Sequence, residues 1–327
     1  MRRSGWATGK ADEEAIAALW TTRTTQPACI RASQTVDYTS SRDTRLTFMR
    51  AAYASSFDTD NPLSALVVGE RPAPTPPPGW TTVRVVAASL NHHDLWTLRG
   101  VGITKDRLPM ILGCDAAGVD EQTGTEVVVH SVIASDGWTG DETLDTRRTL
   151  LSEKHQGTMA EFVTVPRGNV IPKPAELTFA EAACLPTSWL TAYRMLFVNS
   201  GLRPGQTVLV QGAGGGVASA CIALARAAGY RVWCTSRSPE KQEAARRLGA
   251  HAAFDTGARL PERVEAVIET VGAATWSHSL KALKPGGRVV VSGATSGPNP
   301  RPSLTASSSC SCPSSARRWA PEPSWPT

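Results

Sequence analysis

The chain is 327 residues long, a length that suits about two domains. Hydrophobic residues make up 41% and charged residues 19%, which excludes a wholly disordered chain, and no run approaches the ~18–20 uncharged apolar residues of a membrane helix. The net charge of +5 does not mark a nucleic-acid binder: residues 1–48 hold 7 basic and 5 acidic side chains, residues 299–327 hold 3 and 1, and the body between them is near neutral, with 24 against 23.

In chain order, residues 1–48 are rich in Thr, Arg, Ser and Ala, with one helical patch at Asp12–Trp20. Arg2 and Arg3 are followed by no apolar stretch before Asp12, Glu13 and Glu14, so no signal peptide is expected and a cytoplasmic location is the default. The proline-rich 71–80 leads into a strand over 81–90 (TTVRVVAASL), and further strands are expected at Met110–Val119, Glu126–Ile133 and Phe162–Val165, with a polar loop over Asp136–Ser152. Short strands with long irregular connections imply a β-rich first domain.

Thr178 and Glu181 fit a capping box ahead of Ala182–Leu185. From Gly205 the pattern becomes β-α-β-α. Strands are expected at 207–211 (TVLVQ), 231–236 (RVWCTS), 264–270 (VEAVIET) and 287–293 (GRVVVSG). Helices are expected at Val217–Ala228, closed by Gly229, and at Pro239–Leu248, between the N-cap Ser238 and the terminator Gly249. Continuous apolar strands alternating with helices imply a parallel sheet covered on both faces. Residues 299–327, with eight Ser and six Pro in 29 positions, are too polar and too broken to pack. The seven cysteines form no C-x-x-C pair and read as free thiols, several packing as small hydrophobes.

The segment Q-G-A-G-G-G-V-A (211–218) lies between a strand and a helix. A glycine-rich turn can be merely structural. In this context, though, Gly212, Gly214, Gly215 and Gly216 let the backbone approach a diphosphate, and the helix start at Val217 offers unpaired N–H groups and a positive dipole end. The next strand ends T-S-R, without the acid that usually holds an NAD ribose. Ser236, Arg237 and Lys241 stand there instead, and the two cations suit a 2′-phosphate, so NADPH is expected over NADH. A solvated basic helix start is the plainer alternative.

These motifs, with N-x-x-D (Asn91–Asp94), P-x-x-x-G-x-D-x-x-G (Pro109–Gly118), G-T-M-A-E-F-V-T-V-P (157–166) and P-T-S-W-L-T-A-Y (186–193), resemble the medium-chain dehydrogenase/reductase superfamily, closest to its quinone oxidoreductase-like and zinc-free enoyl reductase branches. The resemblance covers about residues 49–298. It implies a GroES-like β-barrel catalytic domain over 49–175, a doubly wound α/β Rossmann domain over 176–298, and a cofactor cleft between them. Ala218 stands where the family usually has a third glycine.

Metal-using members of the family place ligands where Asn91, Cys114 and Thr187 stand, and of these only Cys114 could ligate; the four clustered cysteines of the structural zinc lobe are missing too, so no metal is expected. His92 and His93 are a tempting pair, but adjacent residues of an extended segment point to opposite faces. Without a Lewis acid, an acceptor that spreads charge over a π-system, a quinone or an α,β-unsaturated carbonyl, is favoured over a simple ketone. The resemblance puts Asn91 near the nicotinamide, Thr191 near the cofactor, and Val271 and Gly293 along the nicotinamide side. His92 stands where some quinone reductases have Tyr, as a proton donor or a hydrogen-bonded wall. Asp94 is expected to be structural, and Tyr193 to belong to the core or a domain junction. The alternatives are a zinc-dependent alcohol dehydrogenase of the same superfamily and a catalytically impaired cofactor-binding remnant.

The resemblance stops near Asn299, where the text resembles a shifted reading frame, and Met49-Arg50-Ala51 resembles a natural start. Residues 1–48 are therefore expected to be a non-native or disordered extension and 299–327 a disordered tail. A further edge strand and the return to the first domain are expected to be missing or altered. Family members pair as homodimers through that edge, so its loss counts against the same pairing here.

Overall fold

The structure, a computed structural model, describes residues 29–31, 47–297 and 310–311. It divides into two compact units at Thr187/Ser188. This lies beyond the expected 175/176 boundary because helix α2 (Phe179–Ala183) buries Ala182 and Ala183 against Ala87, Ala117 and Val128 of the first unit's sheet. Thr178 Oγ1 accepts from the Glu181 amide while the Glu181 carboxylate accepts from the Thr178 amide, the expected capping box. Among the described residues no helix is long and apolar enough to cross a membrane.

The first unit is built on antiparallel pairing. Strand β1 (Cys29–Arg31) and β10 (Phe162–Pro166) both pair with β4 (Trp80–Ser89), which continues through β6 (Asp115–Asp120) and β7 (Glu126–Val129) to β11 (Val170–Pro172). A second sheet runs β3 (Leu66–Pro72), β2 (Phe48–Ala54), β5 (Met110–Ile111). Alternate residues of the first sheet, among them Val83, Ala116, Val127, Val129, Val163 and Val165, point inward to one core.

Two expected strands are each broken in two. Met110–Val119 splits because Gly113 takes φ +94°, a left-handed turn that passes the chain from the β2 sheet to the β4 sheet. Glu126–Ile133 breaks after Val129, where the Asn169 amide donates to the carbonyls of His130 and Val132. The chain then pairs β8 (Val132–Ile133) separately with β9 (Thr149–Leu150), the latter within the stretch expected to be loop. The His92–His93 segment is also not extended: it opens helix α1 (His92–Leu98).

The second unit carries a six-stranded, wholly parallel sheet in the order β14 (Ala252–Phe254), β13 (Arg231–Thr235), β12 (Thr207–Val210), β15 (Val264–Glu269), β16 (Leu283–Val291), β17 (Cys310–Ser311). Val208 and Val210 face one core, with Cys221 and Ile222 of helix α4 (Gly216–Ala227) and Ala245 of α5 (Pro239–Leu248). Leu209 faces the other, with Trp276 of α6 (Trp276–Ala282). Both faces are thus covered, as the continuous apolar strands require. Ala218 is buried in the first of these cores, so its methyl is accommodated. Helix α5 spans its expected residues, with Ser238 Oγ accepting from the Lys241 amide and Gly249 at φ +121°.

The winding reverses between β12 and β15, and ligands of doubly wound sheets bind beyond the strand C-termini at such a point. The backbone of Cys310–Ser311, inside the stretch expected to remain unpacked, pairs with Val289 and Val290. The other expectations for 1–48 and 299–327 lie outside the described residues.

Candidate functional site

The turn after β12 occupies the switch point. Gly212 and Gly214 take φ +77° and +106°, conformations that disfavour any side chain. A Cβ on Gly212 would sit 2.5 Å from Val271 Cγ2, and one on Gly216 would sit 2.6 Å from Ser188 Oγ. The turn is therefore packed against the segment after β15, while Gly214, Gly215 and Gly216 are exposed and present bare backbone. Helix α4 starts at Gly216 with Gly215 as N-cap and no side chain capping it, so its first amides are open to an anion. A diphosphate fits this cradle.

Ser236 is buried at the end of β13, its Oγ accepting from the Ser238 amide. Arg237 is exposed. The stem of Lys241 lies over the turn, since a Cβ on Gly214 would come 2.7 Å from its Cδ. The first acid after β13, Glu240, accepts from Ser238 Oγ at 2.5 Å, which holds its carboxyl below the usual range. The structure thus brings Gly212, Gly214, Gly216, Val271 and Lys241 together. Gly293 packs under Thr270, where a Cβ would lie 2.9 Å from the Thr270 carbonyl oxygen. Thr191 is half-buried on helix α3 (Leu190–Tyr193). Tyr193 is 51% exposed and stacks on Phe197 at 4.9 Å, so it is not a core residue.

In the first unit, Asp115 organises a buried polar centre. Its carboxylate accepts from Ser89 Oγ (2.8 Å), Asn91 Nδ2 (2.8 Å), the Thr187 amide (3.0 Å) and Thr187 Oγ1 (2.6 Å). Burial raises its carboxyl pKa, opposed by these donors. Sequence reasoning quotes Asp115 only as the acid of the P-x-x-x-G-x-D-x-x-G motif and assigns it no role, because its partner Thr187 is 72 residues away. His92 is half-buried and edge-on to Trp96, with ring centroids 5.6 Å apart. His93 is buried with Nε2 3.3 Å from Glu153 and Nδ1 3.3 Å from Cys114 Sγ, so the two histidines do point apart, by helical rather than extended geometry.

This donor set does not suit zinc. Asn91 and Thr187, at two of the three ligand positions, direct their donor hydrogens at Asp115, and burial raises the Cys114 thiol well above its ordinary value. Among the described residues no group of three or more His, Cys, Asp or Glu could hold a metal ion. The thiols of Cys221 and Cys234 are also buried, which pushes them up to about 12 and about 11, and Cys184 donates to the Ala180 carbonyl.

Asp94 behaves as a structural residue: its carboxylate accepts from the Asn91 amide (2.8 Å) and the Gly113 amide (3.0 Å), tying α1 to the turn between β5 and β6. Burial pushes its carboxyl up to about 6 from 3.8. The folded state therefore binds this proton more tightly than the unfolded chain, and stability falls as pH rises through about 4 to 6. Lowering the pH from about 7.5 to 5 should stabilise the protein by about 1 kcal/mol relative to Asp94→Asn, read from urea midpoints. A difference between the two proteins that is flat over that range would refute this role.

Comparison with known proteins agrees with this geometry. The family model described as "Alcohol dehydrogenase GroES-like domain" matches residues 77–175, and that described as "Zinc-binding dehydrogenase" matches residues 216–311. The chain is 29% identical to a quinone oxidoreductase of Lama guanicoe, over 80% of this chain and 78% of that one. It is 31% identical to the quinone oxidoreductase of Mus musculus, over 71% and 70%. A crystal structure of an NAD-dependent alcohol dehydrogenase superimposes with a TM-score of 0.70 at 33% identity, covering 75% of this chain and 78% of that one.

Proposed function

Since the chain belongs to the medium-chain dehydrogenase/reductase superfamily, in its alcohol dehydrogenase- and quinone oxidoreductase-like branch, and is an NAD(P)H-dependent oxidoreductase, we propose that it transfers hydride from NADPH to a quinone or an α,β-unsaturated carbonyl without zinc. The observation that carries this reading is the Asp115 centre: two of the three positions at which metal-using members of the family hold their ion, Asn91 and Thr187, are taken by side chains bonded to a carboxylate. No Lewis acid is then offered to an alkoxide, and a conjugated acceptor, which disperses the incoming charge, is the matching substrate class.

The bound nucleotide supplies the hydride. The residues suited to hold it are the amides of 212–217 for the diphosphate, with Ser236, Arg237 and Lys241 around the 2′-phosphate and Val271 and Gly293 on the nicotinamide side. Asn91, held by Asp115, orients the acceptor. His92 donates the proton that completes reduction, and Thr191 contacts the cofactor.

The test is a set of dissociation constants for NADPH and NADH together with a turnover screen across quinones, enones and aldehydes. Wild type is expected to prefer NADPH. Arg237→Ala/Lys241→Ala should weaken NADPH by about tenfold to a hundredfold and leave NADH nearly unchanged, since each charge-assisted bond contributes about 1.5–3 kcal/mol when fully engaged and less at this exposure. Equal or tighter binding of NADH by wild type would overturn the roles of both cations. The alcohol dehydrogenase reading is favoured by the superposition on an NAD-dependent alcohol dehydrogenase. Stoichiometric zinc in the purified protein, with alcohol oxidation, would establish it instead.

A further inference from the structure

Beneath the glycine turn lies a chain of buried polar groups that no cation neutralises within its hydrogen bonds. The Gly212 amide donates to Thr235 Oγ1 (3.3 Å), and Thr235 Oγ1 donates to Gln211 Oε1 (2.6 Å). Gln211 Nε2 donates to Ser279 Oγ (3.0 Å) and to His278 Nδ1 (2.9 Å). Ser279 Oγ donates to Glu269 Oε2 (2.5 Å), and Glu269 Oε1 accepts from the amides of Val271 (2.8 Å) and Gly272 (3.1 Å). Gln211, Thr235, Glu269 and Ser279 are all buried, with exposures of 5% or less.

Every hydrogen in this chain has one consistent direction. His278 Nε2 faces the Ala258 carbonyl and must carry the ring proton, which leaves Nδ1 to accept from Gln211. Turning the carboxamide over would leave the Thr235 hydroxyl hydrogen without its acceptor and set the amide oxygen against the lone pair of His278 Nδ1 and against Ser279 Oγ, whose hydrogen is already given to Glu269. Gln211 is therefore locked in one orientation. Its two ends lead to two different turns: that at Gly212, which starts the diphosphate cradle, and that at Val271–Gly272, which forms the nicotinamide side. The same two turns touch where Val271 Cγ2 faces Gly212.

We propose that Gln211 is a positioning residue of the nucleotide site, coupling the diphosphate turn to the nicotinamide-side turn so that both halves of one dinucleotide meet preset contacts. This rests on the nucleotide-binding reading above. A side chain that serves only the fold would, when replaced, weaken binding of any ligand in proportion to lost stability. A coupler has a distinct signature: the gain in affinity of the whole dinucleotide over a fragment without the nicotinamide ring is what suffers.

The experiment measures dissociation constants for NADPH and for 2′-phospho-ADP-ribose, which keeps the diphosphate and lacks only the nicotinamide ring, on the full chain. Gln211→Met keeps the volume and removes the hydrogen bonds. It is expected to lower the affinity ratio of NADPH to the fragment by about tenfold while fragment binding stays within about twofold of wild type. Gln211→Met with an unchanged ratio overturns the proposal, as does a loss shared equally by both ligands. Should Gln211→Met fail to fold, Thr235→Val and Ser279→Ala, which break the chain on either side of Gln211, decide by the same ratio. If wild type binds neither ligand, the nucleotide reading itself falls, an outcome distinct from a wild-type protein that binds both and is indifferent to these changes.

Discussion

Gly212→Ala is expected to weaken NADPH binding by about a hundredfold or more. A residue with a Cβ held at φ +77° costs about 1–2 kcal/mol on conformation alone. The new methyl would also meet Val271 Cγ2 at 2.5 Å, and Val271 is β-branched and stiff about χ1, so the turn rather than the valine must move. The amides that face a diphosphate move with it, and misplacement by a fraction of an ångström forfeits bonds worth about 3 kcal/mol together. Titration of nicotinamide fluorescence reads the loss. Gly212→Ala/Val271→Ala should recover part of it, because the clash is relieved while the backbone strain remains. Undiminished NADPH affinity in Gly212→Ala would remove this turn from ligand binding.

Asp115→Ala should destabilise the first unit by about 3–5 kcal/mol. It strands Ser89 Oγ, Asn91 Nδ2 and two donors of Thr187 that now converge on one carboxylate. A buried donor left without an acceptor costs about 1–3 kcal/mol, and partial exposure of Asn91 and Thr187 lets water offset some of this. Asp115→Asn should cost less, about 2 kcal/mol, because one oxygen remains while an NH2 group faces the other donors. Urea unfolding followed by far-UV circular dichroism measures both, read as the transition of one unit because two units need not unfold together. On the proposed roles, the same variants should impair turnover more than nucleotide binding, since Asn91 loses its anchor while the glycine turn at 212–217 belongs to the other unit. Asp115→Ala with wild-type stability would show that the four contacts contribute nothing.

The second unit was the more legible of the two, for a physical reason. Its strands are buried on both faces, so TVLV and VEAVIE are apolar without interruption, and its helices carry their own punctuation, as Ser238, Pro239 and Gly249 do for α5. In the first unit the decisive partners are remote. The run Met110–Val119 is apolar throughout, and only the turn at Gly113 and the separate pairings with Tyr53–Ala54 and Val83–Ser89 reveal two strands. The glycines, Arg237 and Lys241 stand out as candidates because cradle chemistry is local to one strand–turn–helix. Gln211 and Asp115 stand inside quoted motifs, but their hydrogen bonding was not legible: a polar residue at a strand end has no periodic signature, and their partners arrive from 24 to 72 residues away.

On the proposed substrate class, the protein would work in the company of Michael acceptors, which alkylate cysteine through its thiolate. Burial leaves Cys221 and Cys234, at about 12 and about 11, with anionic sulfur on the order of one part in ten thousand or less at neutral pH. Cys114, whose thiol burial also raises well above its ordinary value, adjoins Asp115 in the chain and is sealed from solvent. On that proposal these three interior sulfurs are poor targets for the acceptors the protein would reduce, whereas Cys184 is only partly buried.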